Sequence, residues 1–135
     1  MRGQAAFEYL MIFSIVIVLL LALVMYAGNM TTRNQEDLKV SNAISVVNEI
    51  AESANIVKTQ GKPSQVTLDS IYIPEGVQSI NITNNMILMK VKISSGTTDI
   101  FAISKATMVG SISASQGIKR IRIRAEDTYV NITEV

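Results

Sequence analysis

The side chains of this chain that could carry out chemistry are few in kind. Its 135 residues include 12 Lys/Arg and 11 Asp/Glu, but no histidine and no cysteine. Without cysteine there are no disulfides, thiolate nucleophiles or cysteine-based zinc sites. Without histidine the commonest general base and the commonest metal ligand are missing. The scattered carboxylates match no catalytic motif, so the sequence predicts no enzyme, no catalytic residue, no metal and no cofactor.

One carboxylate has an unusual position. Glu8 follows Gly3-Gln4-Ala5-Ala6-Phe7 and directly precedes the uncharged run Tyr9–Ala27. A carboxylate that enters hydrocarbon is costly unless it is paired. Two interpretations stay open. Glu8 is either a wetted carboxylate in the first turn of a helix, favoured by the helix dipole, or the partner of a positive charge on a neighbouring chain.

The run Tyr9–Ala27 predicts a helix that is inserted in a membrane. Its 19 residues would span roughly 28 Å as a helix, close to the hydrocarbon thickness of a bilayer. The run is apolar on all sides, which does not suit the surface of a soluble domain. A cleavable secretory signal is disfavoured because Met25 and Tyr26 put bulky residues where small ones are needed. We therefore expect the helix to stay on the mature protein.

The flanks of this helix predict its orientation. Arg2 precedes it, and the positive-inside tendency places the N-terminus in the cytoplasm and residues 28–135 outside. Acceptor sequons for N-glycosylation, all on the predicted outer side, begin at Asn29, Asn81 and Asn131.

The run Arg2–Leu10, followed at once by the apolar helix, resembles the class III (prepilin-type) signal peptide of archaeal type IV pilins. In that family the motif Gln-x-Ser-x-Glu-x-x-x-Leu spans the processing site. Here Gln4 and Glu8 occupy the glutamine and glutamate positions. Ala6 stands in place of the serine and Ile12 in place of the leucine.

The resemblance implies a function and a set of partners. A prepilin peptidase would cut between Gly3 and Gln4, and Glu8 would become the fifth mature residue. In the family's assembly scheme this glutamate neutralises the terminal amine of the next subunit. The chain would then be a pilin or minor pilin that polymerises with itself or with other pilins. A pilus assembly ATPase and a membrane platform protein would serve the filament, which acts in adhesion or motility.

Beyond the apolar run, an amphipathic helix is predicted up to Gly61-Lys62-Pro63. Apolar residues recur there at steps of three and four, which predicts a stripe packed on a downstream sheet. Leu38 and Ile56 fall on the otherwise polar side, either as contacts to neighbouring subunits or as ordinary exposed residues. The stripe consists of Val40, Ala43, Ile44, Val47, Ile50, Ala51, Ala54 and Val57.

After Pro63 the hydrophobic period changes to that of strands. Short β-branched runs separated by turn residues, Asn84-Asn85 among them, predict an antiparallel sheet or a small sandwich. Family members with such leaders typically carry an all-β head, which agrees with this prediction. The predicted strands are 65–73, 77–83, 86–93, 99–105, 108–113, 118–125 and 129–133.

Basic residues alternate with apolar ones in two of these strands. Lys90 and Lys92 share one face of their strand, and Arg120, Arg122 and Arg124 share a face of theirs. This alternation favours a solvated face over a basic binding patch. The formal net charge of +1 and the lack of interleaved aromatics predict no nucleic-acid partner.

The predicted organisation is therefore α+β, with a long hydrophobic helix, an amphipathic stalk and an antiparallel all-β head. The expected boundaries are residues 1–3 for the leader, 4–27 for the membrane and polymerisation helix, 28–61 for the stalk and 62–135 for the head. The precursor would lie in the cell membrane, and the mature form in an extracellular filament. The alternative function is a single-pass anchored β-domain that binds partners at the cell surface. That alternative leaves Gln4 and Glu8 unexplained.

Overall fold

A computed structural model describes residues 2–135, with side chains from residue 6 onward. It contains one long helix followed by a five-stranded sheet, which confirms the predicted α+β class. The chain divides into two compact units, one up to Gln35 and one from Glu36 to Val135. The elements are α1 (Arg2–Gln60), β1 (Gln65–Ile73), β2 (Val77–Ile93), β3 (Gly96–Ser111), β4 (Gly117–Ala125) and β5 (Val130–Glu134).

Helix α1 is long because its sequence contains nothing that stops it. Residues 1–60 include no proline and only two glycines. The helix ends where Gly61 adopts a left-handed φ of 72° and donates its N–H to the Val57 carbonyl oxygen at 3.1 Å. Glycine tolerates this conformation, and Pro63 follows two residues later, so the helix cannot continue.

The five strands form one sheet in the order β1-β4-β5-β3-β2. Neighbouring strands are antiparallel except β3 and β5, which are parallel. The parallel pair departs from the wholly antiparallel head expected from the sequence. Because β5 inserts between β3 and β4, which run in opposite directions, it must be parallel to one of them.

The close approach of β3 and β5 depends on Gly110. A Cβ atom at this position would lie 1.9 Å from the Ile132 carbonyl oxygen, and φ is +153°. Any larger residue would push the two strands apart, so glycine is required for this parallel pairing.

Five elements replace the seven predicted strands. β1 matches its predicted bounds, whereas β2 and β3 each combine two predicted strands. The N–H of Lys92 donates to the carbonyl oxygen of Gly76 at 2.8 Å, so β2 folds back on itself. The reversal lies around Asn84, whose φ is 52°, and this confirms the turn predicted at Asn84-Asn85.

The core lies between one face of the sheet and the C-terminal part of α1. The predicted stripe is buried in this part of the helix, except for two residues. Val40 is half-buried, and Ile44 was predicted wrongly because it is 44% exposed. Val46, which was not predicted, is buried instead: it lies three residues after Ala43 and four before Ile50, on the same face. The other face of the sheet is uncovered, so the head is a helix-backed sheet and not a sandwich.

Candidate assembly site on the N-terminal helix

The surface of α1 from Phe7 to Tyr26 is apolar and uncovered. Exposure of its large side chains ranges from 40% at Ile17 to 75% at Tyr9. The mean hydropathy of its most apolar 18-residue window is 3.0, and none of that window is buried. The helix is therefore long and apolar enough to cross a membrane. Such a surface needs a cover of lipid or of other chains, because exposing it to water is unfavourable.

Glu8 lies on the exposed surface of α1 at the start of this apolar stretch. Because α1 begins at Arg2, Glu8 lies in the second helical turn, where the helix dipole contributes less than in the first. Ile12, one turn further on, is 60% exposed and apolar. Among the residues with described side chains, Glu8 has no ion-pair partner.

The predicted processing site lies at the start of the same helix. The backbone at Gly3 and Gln4 is helical, and the side chain of Gln4 lies outside the described part of the structure. Met1, the first residue of the predicted leader, lies outside the described residues. A helix in this segment places Gln4 and Glu8 one turn apart along the same side.

Asn55 fixes the end of α1 to the sheet. Its Oδ1 accepts a hydrogen bond from the Ser104 hydroxyl and another from the Lys105 backbone N–H, both at 2.8 Å. Ser104 is 1% exposed and its oxygen also accepts the Ala106 N–H at 3.0 Å, so the buried hydroxyl is fully used. Sequence reasoning missed Asn55, since a single asparagine beside an apolar stripe carries no distinguishing pattern.

A second attachment lies at Glu36, where the compact head unit begins. Its carboxylate accepts hydrogen bonds from the hydroxyl and the backbone N–H of Ser94, the latter at 2.7 Å. The Ser94 hydroxyl and then its N–H hold the pKa of Glu36 below its ordinary value. Nearby, Lys39 Nζ lies 3.2 Å from a carboxylate oxygen of Glu75. These contacts and Asn55 attach the helix to the sheet at two well-separated points.

A polar cluster surrounds the ammonium group of Lys119 on β4. Lys119 Nζ donates to Glu134 Oε1 at 2.6 Å and to the hydroxyls of Ser113 and Ser115 at 2.5 and 2.7 Å. The Lys119 ammonium, followed by the Ser113 backbone N–H, lowers the pKa of the Glu134 carboxyl. All three ammonium donors have acceptors, which suits a side chain that is only 12% exposed.

The three sequons lie in different surroundings. Asn29 is exposed on α1 and Asn81 is exposed on β2. Asn131 is half-buried on β5, where it pairs with Val109 on β3 and Arg124 on β4. Asn81 is the sequon most accessible to a modifying enzyme within the head, because β2 is an edge strand.

The alternating basic residues lie on the uncovered face of the sheet. Arg120, Arg122 and Arg124 are exposed, while Ile121 and Ile123 are fully buried. The alternation thus separates a wet face from a core face, as the sequence predicted. Across the described residues, no group of three or more acidic side chains could hold a metal ion.

A comparison with known protein families, curated proteins and solved structures finds no match to this chain.

Proposed function

We propose that this chain is a structural subunit, a pilin or minor pilin, of an extracellular type IV pilus-like filament that serves adhesion or motility. The observation that carries the proposal is the uncovered apolar surface of α1 with Glu8 at its start. A helix that only anchors a domain needs the apolar length but no carboxylate at this point. A helix that bundles with copies of itself can use such a carboxylate to pair with a positive charge on the neighbouring copy.

Glu8 supplies the preference for other subunits over lipid. Lipid tails cover an apolar helix as well as another helix does, so the hydrophobic effect alone does not drive bundling in a bilayer. Cleavage before Gln4 creates an α-amino group near Glu8, which becomes the fifth mature residue. The carboxylate of one subunit then pairs with the amine of the next, and neither charge is left alone in the dry bundle.

The remaining parts of the proposal follow from this assembly. The precursor lies in the membrane with its N-terminus in the cytoplasm, where a prepilin peptidase reaches Gly3 and Gln4. Residues 28–135 lie outside, and the head decorates the filament. An assembly ATPase and a platform protein move the processed chain into the filament. The role is structural and not enzymatic, and involves no nucleic acid.

The processing step gives a direct test of this proposal. Intact-mass and N-terminal analysis of the protein, co-expressed with a prepilin peptidase, should show a new N-terminus at Gln4. A Gly3→Val variant should remain uncut in the membrane, because a branched residue does not fit where the family uses glycine.

The opposite outcome favours a single-pass anchored β-domain that binds partners at the cell surface. It would be an N-terminus still at Met1 under conditions that process a known prepilin completely.

A further inference from the structure

The sheet face that α1 leaves uncovered has an apolar centre. Phe101 and Ile103 on β3 are 58% and 65% exposed. Leu88 on β2 pairs directly with Phe101, and Met86 pairs with Ile103, so these four side chains share a face. Exposed aromatic and branched side chains grouped in this way are typical of protein interaction surfaces.

Basic side chains flank this apolar centre. Lys90 and Lys92 continue the same face of β2, and the exposed arginines of β4 lie on the far side of β5. The face also carries Asp99, opposite Lys90, and Asp69, which lies 2.8 Å from Arg120. Lys105 follows Ile103 on the exposed side of β3, so six basic side chains against two acidic ones give the face a net charge of +4.

The outer side of α1 within the head unit has the opposite character. Leu38 and Ile56 are 63% and 47% exposed, and Glu49 and Glu52 are exposed between them. Together with Ser45 they follow steps of seven, four, three and four residues, which places them along one line of the helix.

The charge of this line is negative. Asp37 is exposed beside Leu38, which brings the acidic residues on this side to three. Lys39 is half-buried and contacts Glu75, and Lys58 is also half-buried. Glu49 and Glu52 have no ion-pair partner among the residues with described side chains.

We propose that the uncovered sheet face of one copy docks on the outer side of helix residues 36–60 of a second copy. Two sheet faces in contact would bring together two surfaces of net charge +4, and two helix sides would bring together three carboxylates from each copy. Only a sheet face on a helix face is complementary in charge while covering exposed apolar residues on both sides. The inference rests on the proposed assembly, which supplies the second copy.

The geometry of this contact has a consequence for assembly. Because the two surfaces differ, a docked pair still has one free sheet face and one free helix side, so the contact is heterologous. A heterologous contact that does not close into a ring continues as an open fibre. The heads would then add a second line of contact to the one made by the apolar helices.

The absence of cysteine makes disulfide cross-linking a clean test with the full chain. Ser45→Cys marks the helix side and Ile103→Cys marks the sheet face. Differently tagged copies are co-expressed with the processing and assembly proteins and oxidised mildly. We expect cross-linked dimers in the mixture of the two variants and few with either variant alone. Asp127→Cys, at an exposed loop position, replaces Ile103→Cys as the matched control and should not cross-link to Ser45→Cys.

Charge reversal tests whether electrostatic complementarity selects the contact. Glu49→Arg with Glu52→Arg, in the Ser45→Cys copy, should lower the yield roughly fivefold. When the Ile103→Cys copy in the same mixture carries Lys90→Glu and Arg122→Glu, the yield of cross-linked dimers should be restored. Variants that merely misfold would not regain the cross-link when the charges of both copies are reversed.

Three results would overturn the inference. Cross-linking of Ile103→Cys copies to each other, as efficient as in the mixture, would mean that sheet faces pair with sheet faces. A Leu20→Cys variant, in the apolar helix, reports assembly separately. If Leu20→Cys copies cross-link but the Ser45→Cys and Ile103→Cys mixture does not, this docking is wrong and the proposed filament stands. If neither cross-links, the proposed function fails with it.

Discussion

Glu8 is the only charged residue between Gly3 and Thr32, at the start of an exposed apolar surface. In the proposed bundle it pairs with the amine that processing creates at Gln4. For filament assembly, the negative charge of Glu8 should therefore matter more than the size or the helix propensity of the side chain.

Replacing Glu8 tests this role. Glu8→Gln keeps the shape but cannot neutralise an amine, so the charge left unpaired in the bundle should reduce filament yield by about tenfold or more. Glu8→Asp, the matched control, keeps the charge and should retain most of the yield. The measurement is the ratio of processed protein in the sheared filament fraction to that in the membrane. Equal yields for Glu8→Gln and wild type would remove the pairing role.

Glu134 provides a pH-dependent prediction. Its contacts with Lys119 and the Ser113 N–H lower the folded-state pKa below the ordinary value of 4.5. A carboxylate with a lowered pKa stabilises the fold above its unfolded pKa, and this stabilisation is lost as pH falls through the folded value. Glu134→Gln should therefore lower stability by about 1 kcal/mol at pH 6. The difference from wild type should shrink below about pH 4.5.

Thermal unfolding in detergent, followed by the circular dichroism of the sheet, measures this difference. Asp127→Asn serves as the control, because that carboxylate is 81% exposed and lies 3.4 Å from Lys62. Its effect should be small at both pH values. A Glu134→Gln deficit that stays constant from pH 6 to pH 3.5 would contradict the linkage argument.

At the level of the helix, one pair of isoleucines separates the core face from the outer face. Ile50 is fully buried and Ile44 is 44% exposed. Ile50→Ala should lower the free energy of unfolding by about 2–5 kcal/mol, because it leaves a cavity. Ile44→Ala removes the same atoms from a wetter site and should cost less than about 1 kcal/mol. Denaturant unfolding of the detergent-solubilised full chain checks both, and equal losses would contradict the assignment of faces.

The elements themselves were largely predictable from local sequence. The apolar run Tyr9–Ala27 and the apolar residues at steps of three and four after it predicted helix, and β-branched runs between turn residues predicted strands. The turn at Asn84-Asn85 was found because asparagine tolerates positive φ. The wrong assignment of Ile44 arose because it lies beside Ala43, where spacing alone leaves the edge of the stripe uncertain.

Long-range pairings were not predictable in the same way. The position of β5 between β3 and β4 depends on contacts between residues that are distant in sequence. Local periodicity carries no information about such contacts. The Asn55 and Glu36 attachments were missed for the same reason, since their partners lie 49 and 58 residues away. The positions of Gln4 and Glu8 came instead from a motif, whose function remains a prediction.

At the scale of the whole molecule, the chain combines two surfaces with different requirements. The apolar part of α1 has no core of its own, whereas the unit from Glu36 to Val135 has a buried core between helix and sheet. A folded head joined to an uncovered apolar helix suits a subunit that moves from membrane to polymer. Assembly into a polymer is the function that we propose for this chain.

Electron microscopy of the sheared surface fraction would show whether the chain forms this polymer. Cells would express the full chain with a prepilin peptidase and its assembly proteins, and an antibody against the head would label the fraction. We expect filaments labelled along their length, and none when the peptidase is omitted. Processed protein that stays monomeric in the membrane, with no labelled filaments, would contradict the proposed function.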